Sequence, residues 1–199
     1  PDLTLVARKV GCSDIALVEV DGDEQVQRLE GLPNPKVTDA SPVGEIAFSP
    51  DGERLAVASG DSVSILEADS GDEVGTLSAA NGAGPVWSPD GRWIAGVTTE
   101  GSPTVWDAET FAAVETLLGF DAAAVAFSPD SRSLAAASEG GDGSQVDKTR
   151  LALWTPTALG GTGETRDVTR AASPGSNVIF SPDGKTLYTA SAEDGVAAW

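Results

Sequence analysis

The sequence has no histidine and no methionine, one cysteine and one tyrosine, and only 12 basic residues against 31 acidic ones. Without an imidazole there is no serine or cysteine relay, and one cysteine cannot make a zinc site. The lone Cys12 has no partner for an internal disulfide and reads as a small buried residue of a strand. A net charge of −19 repels phosphate backbones. The only close basic pairs, Arg8 with Lys9 and Lys148 with Arg150, are too sparse for a nucleic-acid patch. No apolar run approaches the ~18 residues of a spanning helix, and no leader pattern opens the chain. The expectation is therefore no membrane insertion, no nucleic acid and a cytoplasmic, intracellular setting. The nucleophile elbow, the phosphate-binding loop and the dinucleotide fingerprint are missing too. A carboxylate pair could still act as acid and base, but nothing selects one pair from the 31 acids. No catalytic residue, cofactor or metal is expected.

What is present is repetition. Phe48-Ser49-Pro50-Asp51-Gly52 returns as Trp87 to Gly91, as Phe127 to Ser131 and as Phe180 to Gly184. The aromatic leaders are 39, 40 and 53 residues apart. Three residues past each turn stand Leu55, Ile94, Leu134 and Leu187, and later comes a column of Leu66, Trp106, Trp154 and Trp199. Val18 joins that column from the first segment. A proline at the second position of a turn presets φ, the serine opens it, and glycine tolerates its last position. The flanking stretches are short and rich in β-branched and small residues, as strands are. Four short strands per repeat, joined by tight turns, make one propeller blade.

The aromatic-Ser-Pro-Asp-Gly core, the Leu-Ala-x-x-Ser-like strand after it and Val105-Trp106-Asp107 resemble the WD-repeat family. They also resemble the related TolB-like propeller repeats. The resemblance implies an all-β chain of four-stranded antiparallel blades, with about four and a half present as part of a larger ring. Blades are expected near 43–77, 83–117 and 122–169, with partial blades at 1–30 and 177–199, in a single propeller region spanning 1–199. The missing blades are expected from the rest of the same protein or from a partner chain, and the absent start methionine points to processing or to a longer protein. The family's Gly-His pair is absent, and Trp-Asp appears once, so its buried Asp–His–Ser/Thr–Trp network cannot form.

The repeated aspartates Asp51, Asp90, Asp130 and Asp183 read as turn formers, held apart in separate blades. The acidic runs 21–24 and 69–73 lack the ligand spacing of a calcium loop and read as solvated turns. Trp87, Trp106, Trp154 and Trp199 read as packing between blades. Trp93 stands in a column with Arg54, Arg132 and Thr186, so it is a candidate exposed aromatic anchor. The polar insertion 139–150 reads as a surface loop on the family's usual partner-binding face. Its candidate contacts are Glu139, Asp142, Gln145, Asp147, Lys148 and Arg150. The function implied is a non-catalytic scaffold for protein–protein interaction, drawn to basic partners by its charge. The alternative is a TolB-like or peptidase-associated propeller that gates or orients a separate catalytic or transport domain.

Overall fold

A computed structural model describes residues 43–59, 61–77, 84–138, 151–167, 177–191 and 195–199, and the strand backbones of the first segment. Cys12, the acidic run 21–24 and the insertion 139–150 lie outside the described residues. The described chain is all-β apart from one 3-10 turn at Thr157–Leu159. A first sheet holds β1 (Leu5–Val10), β2 (Asp14–Glu19) and β3 (Gln25–Leu29). The second holds β4 (Val43–Phe48), β5 (Arg54–Ser59), β6 (Ser62–Glu67) and β7 (Glu73–Leu77). The third holds β8 (Val86–Trp87), β9 (Trp93–Val97), β10 (Pro103–Asp107) and β11 (Ala113–Thr116). The fourth holds β12 (Ala124–Phe127), β13 (Leu134–Ala137), β14 (Leu151–Trp154) and β15 (Thr165–Asp167). A fifth holds β16 (Asn177–Phe180), β17 (Leu187–Ser191) and β18 (Gly195–Ala198). Every sheet is an antiparallel meander in chain order.

The sheets stack face to face along the chain. β1 packs on β4, β4 on β8, β8 on β12, and β12 on β16. No packing of that extent joins the first sheet to the fifth among the described residues.

Position within a sheet decides how a strand is written. The middle strands are covered on both faces, so they read as apolar runs instead of alternating. From Leu55 to Ser59 and from Ser62 to Leu66 every residue is buried. The fourth strands lie at the edge, and β7 and β11 are mostly exposed. Successive side chains of a middle strand serve different neighbours, because strand side chains alternate between faces. On β9, Ile94 joins a cluster with Ala56, Val63 and Ile65 of the second sheet. Its neighbour Ala95 joins Val125, Leu134 and Trp154 of the fourth.

The tryptophan column is the largest part of this packing. Trp106 is completely buried, against Ala56, Ala58 and Ile65 of the preceding sheet. Trp154 does the same against Ala95 and Val105, and Trp199 packs on the cluster of Ala135, Ala137 and Leu151. Trp87 is half-buried, and its indole N–H donates to the Ala47 carbonyl of the preceding sheet at 3.1 Å. Small residues face large ones across each interface.

Gly75 shows how tight that fit is. The ring of Phe111, from the next sheet, occupies the space where a Cβ on Gly75 would lie. Phe111 itself has φ +58, a left-handed conformation rare for an aromatic residue. Its counterpart in the second sheet is Gly71, which closes the same turn by donating its N–H to Glu67 as Phe111 does to Asp107.

Trp106→Ala is expected to destabilise by about 3–5 kcal/mol, the range for emptying a large buried aromatic site. Denaturant titration reads this as a lower midpoint with an unchanged slope. Trp93, half-buried instead of fully enclosed, should cost clearly less on the same truncation.

Candidate interaction surface

The four Ser-Pro-Asp turns join the first and second strands of their sheets, and all four fold the same way. In the first, the Gly52 N–H donates to the Ser49 carbonyl at 2.9 Å and closes a four-residue turn. The Ser49 hydroxyl donates to Asp51 Oδ1 at 2.5 Å and accepts the Arg54 N–H at 2.9 Å. Asp51 Oδ1 also accepts the Glu53 N–H at 3.0 Å. Ser88 with Asp90, Ser128 with Asp130, and Ser181 with Asp183 repeat the serine–carboxylate bond at 2.6 Å. The aspartates therefore serve as turn formers.

Three of the turns end on a left-handed glycine: Gly52, Gly91 and Gly184. The other ends on Ser131 at φ +62. There the serine hydroxyl accepts the Asp90 N–H of the preceding turn at 3.1 Å. The side chain thus ties two turns together at the position where its counterparts have none.

Two sequence expectations need correction. The turn aspartates do not stand apart: neighbouring turns pack on one another, with Gly91 beside Pro50 and Gly184 beside Pro129. Asp130 and Asp183 line one cleft of about 380 Å³ between the fourth and fifth sheets. Second, the counterpart of Trp93 in the fourth sheet is Ser133, not Arg132. Ser133 donates its N–H to Ser128 Oγ as Trp93 does to Ser88 Oγ and Arg54 to Ser49 Oγ. Arg132 instead matches Glu53 and Arg92, whose N–H groups bind the turn carboxylate.

Trp93 is half-buried. It packs against the cluster shared by the third and fourth sheets, with the Arg92 guanidinium 5.6 Å from its ring centroid. Arg54, in the same column, donates to the Ala108 carbonyl of the third sheet at 2.8 Å and lies 5.7 Å over the Phe111 ring. The insertion residues Glu139, Asp142, Gln145, Asp147, Lys148 and Arg150 lie outside the described residues, in the connection between β13 and β14. Among the described residues no three Asp, Glu or Cys side chains converge as metal ligands, and no helix is long and apolar enough to cross a membrane.

The serine hydroxyls hold Asp51, Asp130 and Asp183 below the usual carboxylate range, helped by the backbone N–H two residues on. Asp107 is lowered in the same way, by the Thr110 backbone N–H and then by its hydroxyl. A carboxyl whose pKa is depressed by folding stabilises the fold above its unfolded pKa, and that contribution is lost as pH falls through the folded value. The contribution of these four carboxylates to stability should thus be constant with pH down to about 4, the unfolded Asp value, and fall below it. Asp51→Asn should flatten that drop, and scanning calorimetry against pH checks it.

Residues 34–66 match the family model "WD domain, G-beta repeat". No curated protein matches the chain by sequence. Among solved structures, a chain of the crystal structure of the mitotic checkpoint complex superposes with a TM-score of 0.76 at 22% identity. The match covers 98% of this chain and 60% of that one, so this chain spans about three-fifths of its structural relative. With its sheets all antiparallel meanders in chain order and this superposition, the chain has the fold of a section of a β-propeller, and its residues 34–66 are similar to a WD repeat.

Proposed function

We propose that the chain is a non-catalytic propeller scaffold that holds proteins together within a larger protein or complex. The observation that carries this reading is an uncovered apolar face on the fifth sheet. Ile179 and Val196 are 61% and 74% exposed, and Tyr188, cross-strand from Ile179, is exposed beside them. The register positions of Tyr188 and Val196 in the second sheet, Ala56 and Val63, lie against the third sheet and are at most 1% exposed. A face of that kind lowers its free energy by taking on another protein surface. A further blade, from the same polypeptide or a partner chain, has the right shape.

The structural relative belongs to a multi-protein assembly by its name, which supports protein partners here. Partners with basic surfaces are favoured by the charge of −19. The insertion 139–150 and Trp93 are the proposed contacts away from the apolar face. A cytoplasmic setting accords with the lone cysteine.

The test is a photo-crosslinking amino acid placed in the protein in its native cell at Val196, at Lys148 and, as a control, at Glu53. Adducts to other polypeptide at 196 and 148, and none at 53, are the expected result. Absence of adducts at both sites would overturn the scaffold reading. Replacing residues 140–149 by a short turn should leave the sheet circular dichroism intact and remove the contact made through the insertion. Loss of cooperative folding in that variant would make the loop structural.

A further inference from the structure

The connection between the third and fourth strands of a sheet is five residues long in the second sheet (68–72) and in the third (108–112), but ten in the fourth (155–164). The longer one closes on itself. The Thr155 N–H donates to the Glu164 carbonyl at 3.0 Å and the Gly163 N–H to the Thr155 carbonyl at 2.7 Å, which joins its two ends. Between them the Leu159 and Gly161 N–H groups donate to the Pro156 carbonyl, and that of Gly160 to the Thr157 carbonyl. Compact loops whose ends meet are packed by their own residues and frequently serve a function.

Little ties this loop to the third sheet. Glu115 Oε2, on β11, accepts the Thr157 hydroxyl at 2.8 Å and the Ala158 N–H at 2.9 Å. Of the loop's residues only Pro156 and Leu159 are buried, and Leu159 enters the cluster on which Trp93 packs. Among the described residues, lifting the loop off the third sheet breaks the two bonds to Glu115 and withdraws Leu159. The bonds that close the loop are untouched by that movement. The connection of the third sheet is held more firmly, with Phe111 filling the space over Gly75 beneath the Arg54 guanidinium.

We infer that residues 155–164 form a cover, hinged at Thr155 and Glu164 and latched by Glu115, that sets how far Trp93 is open to a partner protein. Closed, the loop holds Leu159 in the cluster and leaves the indole half-buried. Open, it bares Leu159 and more of the indole together. A partner that binds only the open form draws the loop to it, since differential affinity is what moves such an equilibrium. The partner rests on the scaffold reading; the hinged opening does not.

Amide exchange followed by NMR reads the opening in the unaltered chain. The Ala158 amide should exchange through a local opening that low denaturant does not accelerate, while Ile94 and Ala135 follow global unfolding. Thr155 and Gly163, bonded inside the loop, should exchange more slowly than Ala158. Glu115→Ala should speed Ala158 at least about tenfold, the loss of a bond to a charged group. Glu115→Gln, which keeps an acceptor oxygen, should fall between the two. With 5-fluorotryptophan, the Trp93 signal (assigned by its loss in Trp93→Phe) should gain a solvent-isotope shift in Glu115→Ala while that of Trp106 does not. A photo-crosslinking amino acid at Arg92, exposed beside Trp93, should give more adduct to other polypeptide in Glu115→Ala. Exchange of Ala158 only with global unfolding, Thr155 and Gly163 exchanging as fast as Ala158, or an unmoved Trp93 signal overturns the cover. Should Glu115→Ala not fold, exchange in the unaltered chain decides alone. If adducts at 196 and 148 persist while those at 92 do not rise, control of Trp93 falls and the scaffold reading stands.

Discussion

The burial of both faces of each sheet's middle strands governs this molecule. β5, β6, β9, β10, β13 and β14 carry too few polar side chains to stand against water on either side. Each sheet therefore needs a neighbour on both faces, and stability is shared between successive sheets as in other repeat architectures. Small residues such as Ala56 and Ala58 and large ones such as Trp106 interlock across an interface, so neither side can be altered alone. The left-handed Phe111 is the extreme case. Its conformation is tolerated because Gly75 yields the space and Arg54 covers the ring.

The turns are the second element of the design, and they link local chemistry to the stack. A serine and a carboxylate two residues apart satisfy backbone N–H groups of the turn within itself, and among the described residues no buried side-chain polar atom lacks a partner. Since those turns sit side by side, a change in one is felt by the next. Ser131 accepting the Asp90 N–H and Pro129 resting beside Gly184 are two such links. The same crowding brings two aspartates of separate repeats to the walls of one cleft.

Much of this is legible from residues alone. The turn chemistry of Ser49 to Gly52 predicts where strands end, and the Leu66, Trp106, Trp154 column predicts which residues are fully buried. These signals are local and repeated, so each copy supports the reading of the others. What stays hidden depends on geometry between repeats. Asp130 and Asp183 are 53 residues apart in the chain, and nothing local says that their turns meet. Ser133 is easily misread because Arg132 beside it resembles Arg54, although counting back from Leu134 gives its place and the N–H bond to Ser128 agrees. Phe111 gives no signal either, since a left-handed aromatic has no sequence mark without the glycine that accommodates it. The contacts expected of the insertion carry no such check, because those residues lie outside the described structure.

The central claim, that each sheet is held by its neighbours on both faces, is most directly tested by native-state hydrogen exchange resolved by residue. Middle-strand amides of the third and fourth sheets should be the slowest and should exchange together, through one cooperative opening. Amides of β17 and β18, with one face uncovered, should exchange through a smaller opening of lower free energy. Equal protection of β17 and β9, or independent opening of each sheet, would contradict the account.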